Sequence, residues 1–163
     1  MPDTNNNKDK ENRRTYKYNR YSEAIHWFSL KTKINERYDG GPGHFFPRSA
    51  IVNVYLGENI GHEQNGYRPA VVVSVDSNNR TNANVAIVPL TKLMNKIKNG
   101  KLKLLDSQYI LYRSKYPKLK YDSVVICEHI RVVSKARIGD LICFVKPDDM
   151  EKIDSKLRFF LDL

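Results

Sequence analysis

Downstream of residue 50 the apolar residues come in short runs, at 51–56, 70–75, 85–90, 109–112, 123–127, 130–133 and 141–145, with polar or turn-forming residues between them. Runs of this length suit strands and are too brief for helices. No helical pattern separates one run from the next. That excludes a parallel sheet built from strand–helix–strand units and predicts a compact antiparallel barrel or partly open roll. The run 70–75 is apolar enough to read as a strand buried on both faces. Asp76-Ser77-Asn78-Asn79-Arg80 reads as the turn that follows it.

Helices are expected only at the two ends, which makes the chain α+β, mainly β. Ser22 is placed to cap a helix, and Ala24, Trp27, Phe28 and Ile34 recur at helical spacing, with Ile25 and Leu30 widening the stripe. Asp39-Gly40-Gly41-Pro42-Gly43 should end it. A helix with that much apolar surface is expected to dock on the domain or on a second copy of the chain. A second helix should run from about Asp148, with Met150, Ile153, Leu157, Phe160 and Leu161 on one stripe and Asp148 and Asp149 at its positive end. Residues 1–20 are basic, have almost nothing to bury, and are expected to be a disordered tail. The expected organisation is thus a tail at 1–20, a helical extension and Gly/Pro linker at 21–46, and the main domain at 47–163.

Charge narrows the partners. The 163 residues carry 28 Lys and Arg against 18 Asp and Glu, a net +10, which attracts polyanions. Much of the excess lies in residues 92–120, where nine basic residues face the single acid Asp106. Tyr109, Tyr112, Tyr116 and Tyr121 are interleaved with it, either to stack on unpaired bases or to pack on the barrel. Cys127 and Cys143 lie in apolar runs and read as reduced core thiols. No signal-like apolar segment begins the chain and no run approaches membrane-spanning length, so a cytoplasmic protein with no membrane partner is expected. The histidines, His26, His44, His62 and His129, lack ligand spacing and the cysteines are too few for a zinc cluster. No metal or other cofactor is expected.

Metal-free cleavage of RNA suits such a chain, because the 2′-hydroxyl of RNA is a built-in nucleophile. The protein need only move a proton and stabilise a phosphorane. The stretch Gly61-His62-Glu63-Gln64-Asn65-Gly66-Tyr67-Arg68-Pro69 holds what is required. Arg68 is pushed towards an extended conformation by Pro69, and its guanidinium can grip two phosphate oxygens. His62 can exchange a proton near neutrality. Glu63 and Gln64 can orient the loop or bond a base edge. By composition alone the stretch could equally be a polar hairpin.

The same stretch, continuing Ala70-Val71-Val72-Val73-Ser74, resembles the signature of the MazF/PemK family of toxin–antitoxin endoribonucleases. Three more blocks follow in the family's order: Asn78-Asn79-Arg80-Thr81, then Val85-Ala86-Ile87-Val88-Pro89-Leu90-Thr91, then Tyr121-Asp122-Ser123-Val124-Val125-Ile126-Cys127-Glu128-His129-Ile130-Arg131. Lys135-Ala136-Arg137 fits the basic turn after them, and the resemblance spans roughly residues 47–163. It implies an SH3-like antiparallel β-barrel of the CcdB/PemK kind with a C-terminal helix. It also implies a homodimer, a cognate antitoxin, and cleavage of single-stranded mRNA to 2′,3′-cyclic phosphate and 5′-hydroxyl ends.

Residue by residue, Arg68 matches the family's catalytic arginine and Thr91 the threonine that contacts the scissile phosphate. His62 matches the histidine of the Kid branch, and Glu128 falls where that branch carries its proposed base. Glu128 reads equally as a strand-end carboxylate paired with Arg131 or Lys135. Glu63, Gln64, Asn79, Arg80, Lys92 and Arg131 are the candidate RNA contacts. The sequence also departs from the pattern. Ile126 stands where the Kid branch has a second catalytic arginine, Arg48-Ser49-Ala50 replaces an opening Arg-Gly-Asp, and Ser134 and His129 replace an acid and a glutamine. The basic stretch after Thr91 is longer than in compact members, and the N-terminal helix is extra. Two binding-only readings compete: a gyrase poison like CcdB, which shares the barrel, and a silent RNA-binding barrel.

Overall fold

A computed structural model describes residues 4–163 except Pro42, with side chains from Asn19 onward. The chain divides after Tyr38 into two compact units. The first is helix α1, Thr4–Glu36. Its extent corrects the sequence reading. The helix does not start at Ser22, and residues 4–20 of the expected disordered tail are helical, while residues 1–3 lie outside the described residues. Scarcity of apolar residues argues against a core, not against a helix. Lys, Arg and Glu have propensities close to that of alanine, and no Gly or Pro lies between Pro2 and Gly40. The stop is as expected: α1 ends at Glu36, and Gly40 takes φ 79°. The expected apolar stripe is incomplete, with Ile25 71% and Phe28 72% exposed.

The second unit is an antiparallel roll. Its strands are β1 (Ala50–Tyr55), β2 (Tyr67–Val72), β3 (Asn84–Lys92), β6 (Gln108–Leu111), β7 (Ser123–Ile126), β8 (Arg131–Ser134) and β9 (Ile138–Phe144). A separate small hairpin pairs β4 (Ile97–Lys98) with β5 (Lys101–Leu102) inside the basic stretch. The order is β6-β7-β3-β2-β1-β9, with β8 also on β3. The end strands β6 and β9 are not neighbours, so the barrel is partly open rather than closed. Alternating residues of the central strands supply two cores. Ile51, Val71, Val88 and Leu90 point to one, which Met150 and Ile153 of α3 (Pro147–Leu161) complete; Val52, Val54, Ala70, Val72 and Ile87 point to the other. The strand containing Ala70–Val72 is buried on both faces, as its unbroken apolar run requires.

Strand β3 is the hub. Ile87 pairs with Val72 of β2 on one side and with Arg131 of β8 on the other. Beyond β8, the same side of β3 is taken by β7, with Leu90 opposite Val125. Between those pairs only Val88 and Pro89 of β3 face residues 126–130 of the other line. The surplus is pushed out as a single 3₁₀ turn, Cys127–His129, which projects Glu128 and His129 from the sheet.

Two further expectations need correcting. The turn at Asp76 is instead helix α2, Asp76–Thr81, which contains no Gly or Pro and places Asp76 at its positive end, where the carboxylate accepts from Arg48 N at 2.6 Å. On α3 the apolar stripe stops at the half-buried Leu157; Phe160 and Leu161 are exposed because the core beneath them has ended.

Residues 112–122 join β6 to β7 without regular structure, yet they are firmly anchored. Asp149, on the first turn of α3, accepts from Tyr109 Oη at 2.8 Å, from Lys115 Nζ at 2.8 Å and from Tyr116 Oη. Lys146 N donates to Tyr116 Oη at 3.0 Å, and Lys115 also reaches Asp148 at 2.7 Å. Tyr109 and Tyr116 are therefore structural, while Tyr112 and Tyr121 stay exposed. Burial alone would raise the Asp149 carboxyl, but Lys115 and the two phenols hold it below the ordinary 3.8. Burial and the Asp149 carboxylate push the Tyr109 phenol up to about 12.

Asp149→Ala strands buried hydroxyls, each worth about 1–3 kcal/mol, and should lower unfolding stability by about 3 kcal/mol in urea titrations. Asp148→Ala should change it by less than about 0.5 kcal/mol. Because the folded Asp149 value is depressed, its contribution is present above pH 3.8 and is lost as pH falls through the lower folded value. The gap between wild type and Asp149→Ala should accordingly close in acid.

Candidate active site

The β1–β2 connection is a built loop rather than a floppy hairpin. Leu56 N donates to Gly66 O at 2.8 Å and Gly66 N to Gly57 O at 2.8 Å. Both glycines take positive φ, 94° and 75°, which other residues adopt only with strain. Within the loop, Asn59 N donates to Asn65 Oδ1 at 2.9 Å and Asn59 Nδ2 to Gln64 O at 2.8 Å. The loop delivers Arg68 onto β2, opposite Val54 of β1. Arg68 Nε donates to Asn65 O, so the guanidinium is aimed by the same loop. Partial burial lowers its pKa from 12.5, and a partly desolvated cation gains more from an anion than a fully hydrated one.

Where β2 meets β3 the ladder stops. Its last pair at this end is Ala70 with Pro89. Continued in the same register, it would put Leu90 opposite Pro69 and Thr91 opposite Arg68. Pro69, whose backbone nitrogen faces β3, has no N–H to extend it. The strands part, and the gap is the mouth of a groove of about 740 Å³ that Arg68, Thr91, Lys92, Lys118, Lys120 and Tyr121 line. Thr91 Oγ1 accepts from Asn95 Nδ2 at 3.1 Å, which leaves the hydroxyl proton to donate elsewhere. The groove thus pairs a forked cation with a neutral donor among further lysines, a chemistry suited to a phosphodiester.

A second groove, of about 570 Å³, lies next door. His62, Glu63 and Gln64 of the loop line it together with Glu128, His129 and Arg131 of the projecting turn and its flank. Gln64 and Asn65 are chain neighbours on different grooves, as are Pro89 and Leu90. The Glu128 carboxylate accepts from Ser107 Oγ at 2.8 Å and from Gln108 Nε2. These partners are neutral donors, where the sequence had offered Arg131 or Lys135. Gln64 Oε1 is buried without a hydrogen-bond partner. Cys127 beneath the turn is buried, with its thiol pushed up to about 12 by desolvation, so it is an unreactive core group.

The structure therefore brings Arg68, Thr91 and Lys92 to one groove and His62, Glu63, Gln64, Glu128 and Arg131 to its neighbour. It removes one candidate, Asn79. Asn79 is fully buried: it donates to Ser74 O at 2.9 Å, accepts from Ser74 Oγ at 2.5 Å, and its carbonyl accepts from Lys135 Nζ at 2.5 Å. It has nothing left to offer RNA. Arg80 lies with its guanidinium 4.1 Å from the Phe45 ring centroid and lines neither groove. The sequence reading missed Asn65 and Asn95, which hold Arg68 and Thr91, and Ser107 and Gln108, which hold Glu128. Asn95 stands four residues after Thr91, a weak signal; nothing in the sequence ties Gln108 to Glu128.

Among the described residues no His, Cys, Asp or Glu cluster is placed to hold a metal ion, and no helix is long and apolar enough to cross a membrane. An antiparallel roll that opens into a basic groove where two strands separate defines a small anion-gripping β domain. Comparison with known proteins makes this specific. A family model described as the PemK-like, MazF-like toxin of type II toxin–antitoxin systems matches residues 47–161, and the chain belongs to that family. It is similar to MazF from Deinococcus radiodurans (21% identity, TM-score 0.60, 74% of this chain and 99% of that one). It is also similar to an endoribonuclease from a mycobacterial species in complex with its cognate antitoxin (24%, 0.55, 72% and 96%) and to a MazE–MazF structure from D. radiodurans (18%, 0.55, 74% and 98%). At these identities the likeness establishes the fold.

The reassignment of Asn79 is checked by stability. Asn79→Ala leaves buried partners unsatisfied and should cost about 2 kcal/mol in denaturant. Arg80→Ala forfeits an exposed cation–π contact and should cost less than about 1 kcal/mol.

Proposed function

We propose that this toxin is a metal-independent, sequence-specific endoribonuclease that cleaves single-stranded mRNA in the cytoplasm and is held in check by a cognate antitoxin. The observation that carries the reading is the meeting of Arg68 and Thr91 across the gap where β2 and β3 separate. In this reading Arg68 grips the non-bridging oxygens of the scissile phosphate and Thr91 donates a hydrogen bond to it. Both interactions strengthen as charge builds on the phosphorane. His62 takes the proton from the 2′-hydroxyl, and the 2′-oxygen attacks phosphorus as the bond to the 5′-oxygen breaks. The departing oxygen takes a proton from solvent in the open groove. The products are a 2′,3′-cyclic phosphate and a 5′-hydroxyl.

Glu128, with its carboxylate fixed by Ser107 and Gln108, shares a groove with His62 and serves to orient it. Ile126 is buried in β7 and offers no second cation, which leaves more of the proton transfer to His62. Glu63, Gln64 and Arg131 present base-edge partners in the same groove, and Lys92 a phosphate contact in the first. The antitoxin is an acidic segment that competes for the basic groove, and the active form is a homodimer. Relatives of this fold include structures of a toxin with its antitoxin.

Purified protein incubated with mixed-sequence single-stranded RNA should yield cyclic-phosphate ends. Retention without cutting would favour a silent RNA-binding barrel, and no interaction would favour a protein-binding poison. Arg68→Ala should reduce the rate by about 10²–10³, and equal rates would overturn the site. EDTA should leave cleavage unchanged. His62→Ala should lower the rate by about 10²–10⁴ while Glu128→Gln costs little. Light scattering should report a dimer.

A further inference from the structure

We infer that the Tyr121 ring is a stacking platform for one unpaired nucleobase of the RNA, and that Lys92, which covers the ring in the free protein, moves from it to a phosphate when RNA binds. The inference rests on the reading of the Arg68–Thr91 groove as the RNA site and adds to it a base contact.

Four observations converge on Tyr121. It lines the same groove as Arg68 and Thr91, carried by a different segment that runs beside Lys92 of β3. Of the four tyrosines interleaved with the basic stretch, Tyr109 and Tyr116 spend their hydroxyls on Asp149, and only Tyr121 both stays exposed, at 42%, and lines that groove. The wall that holds it is rigid, because Leu119 and Tyr116 are buried, and Ser123 Oγ donates to Tyr121 O at 2.8 Å. Its ring already attracts cations: Lys92 Nζ lies 4.2 Å and Lys120 Nζ 5.5 Å from its centroid.

That last contact is a placeholder. An exposed cation–π contact is worth a factor of about 2–5 in an equilibrium constant. A nucleobase stacked on an aromatic ring is worth about 5–150, and the phosphate that comes with the base gives the displaced ammonium a full negative charge instead of a quadrupole. The exchange therefore runs towards RNA. Since every base has a π-face, the platform supplies affinity and fixes the spacing between a base and the phosphate on Arg68. It does not by itself choose the base.

The test uses full-length protein and a fluorescent mixed-sequence oligonucleotide carrying 2′-O-methyl groups, which removes the internal nucleophile so that binding is read without cutting. Tyr121→Ala should weaken binding by about 5–150-fold, whereas Tyr121→Phe should bind within about twofold, since it keeps the ring. Tyr121→Ala should leave the salt dependence unchanged, while Lys92→Gln should reduce its slope by about 0.7, one phosphate contact for a single strand. On a matched oligonucleotide with abasic sites, Tyr121→Ala and wild type should bind alike. Equal binding of wild type and Tyr121→Ala to the base-bearing strand overturns the platform while leaving the RNA reading intact, as does a loss in Tyr121→Phe equal to that in Tyr121→Ala. A wild-type protein that neither binds this strand nor cuts unmodified RNA overturns both. Photocrosslinking of a 5-bromouridine strand to wild type gives a check independent of any variant: the adduct should map to Tyr121, and an adduct confined to the His62 loop would count against the platform.

Discussion

One missing backbone proton organises this domain. Pro69 faces the seam between β2 and β3 at the one point where continued pairing would set Arg68 opposite Thr91 in an ordinary ladder. Without its N–H group the ladder stops, the strands separate, and a polar pair that would have been sheet decoration becomes the mouth of a groove. The cost of an interrupted ladder is contained, because each strand keeps its other neighbour: β2 stays paired with β1 through Tyr67, and β3 with β7 through Lys92. The opening is therefore local, and two valine-rich cores continue on either side of it.

The neighbouring groove arises from the opposite device, a surplus of residues instead of a shortage of hydrogen bonds. The line formed by β7 and β8 carries more chain than β3 can pair, so Cys127–His129 is extruded, with Cys127 turned into the core and Glu128 turned out. A carboxylate on an extruded turn would swing freely. Ser107 and Gln108, at the start of β6, prevent this, and they do so with neutral donors. The two grooves thus divide the chemistry: cations and a hydroxyl on one side of the loop, titratable and base-reading groups on the other.

Much of this could be read from the chain before any coordinates. The short apolar runs gave the antiparallel roll, the unbroken run near Ala70 gave a strand buried on both faces, and the loop motif gave Arg68. The failures have physical causes. Residues 4–20 look like a tail because they have almost nothing to bury, yet their residue types favour a helix. Asp76-Ser77-Asn78-Asn79-Arg80 carries residues common in turns, yet a six-residue helix forms there and puts Asn79 into a buried polar knot with Ser74 and Lys135. Arg80 shares the resembling block with Asn79, although on a helix adjacent residues point about a quarter-turn apart. The partners of Glu128 were illegible because a contact between residues twenty positions apart, made by a serine and a glutamine, leaves no periodicity or composition to detect.

The carboxylate of Asp149 has a wider reach than its hydrogen bonds suggest. It belongs to the terminal helix, yet everything it holds belongs to the strand and wall on the way to the groove. Seating of the C-terminal helix and placement of that wall are consequently one cooperative unit, opening and closing together. By thermodynamic reciprocity, whatever steadies the wall steadies the helix to the same degree, and whatever pries the helix loose slackens the wall. The last fifteen-residue element of the fold is in this sense mechanically part of the groove, although it contributes no residue to the lining that holds Arg68 and Thr91.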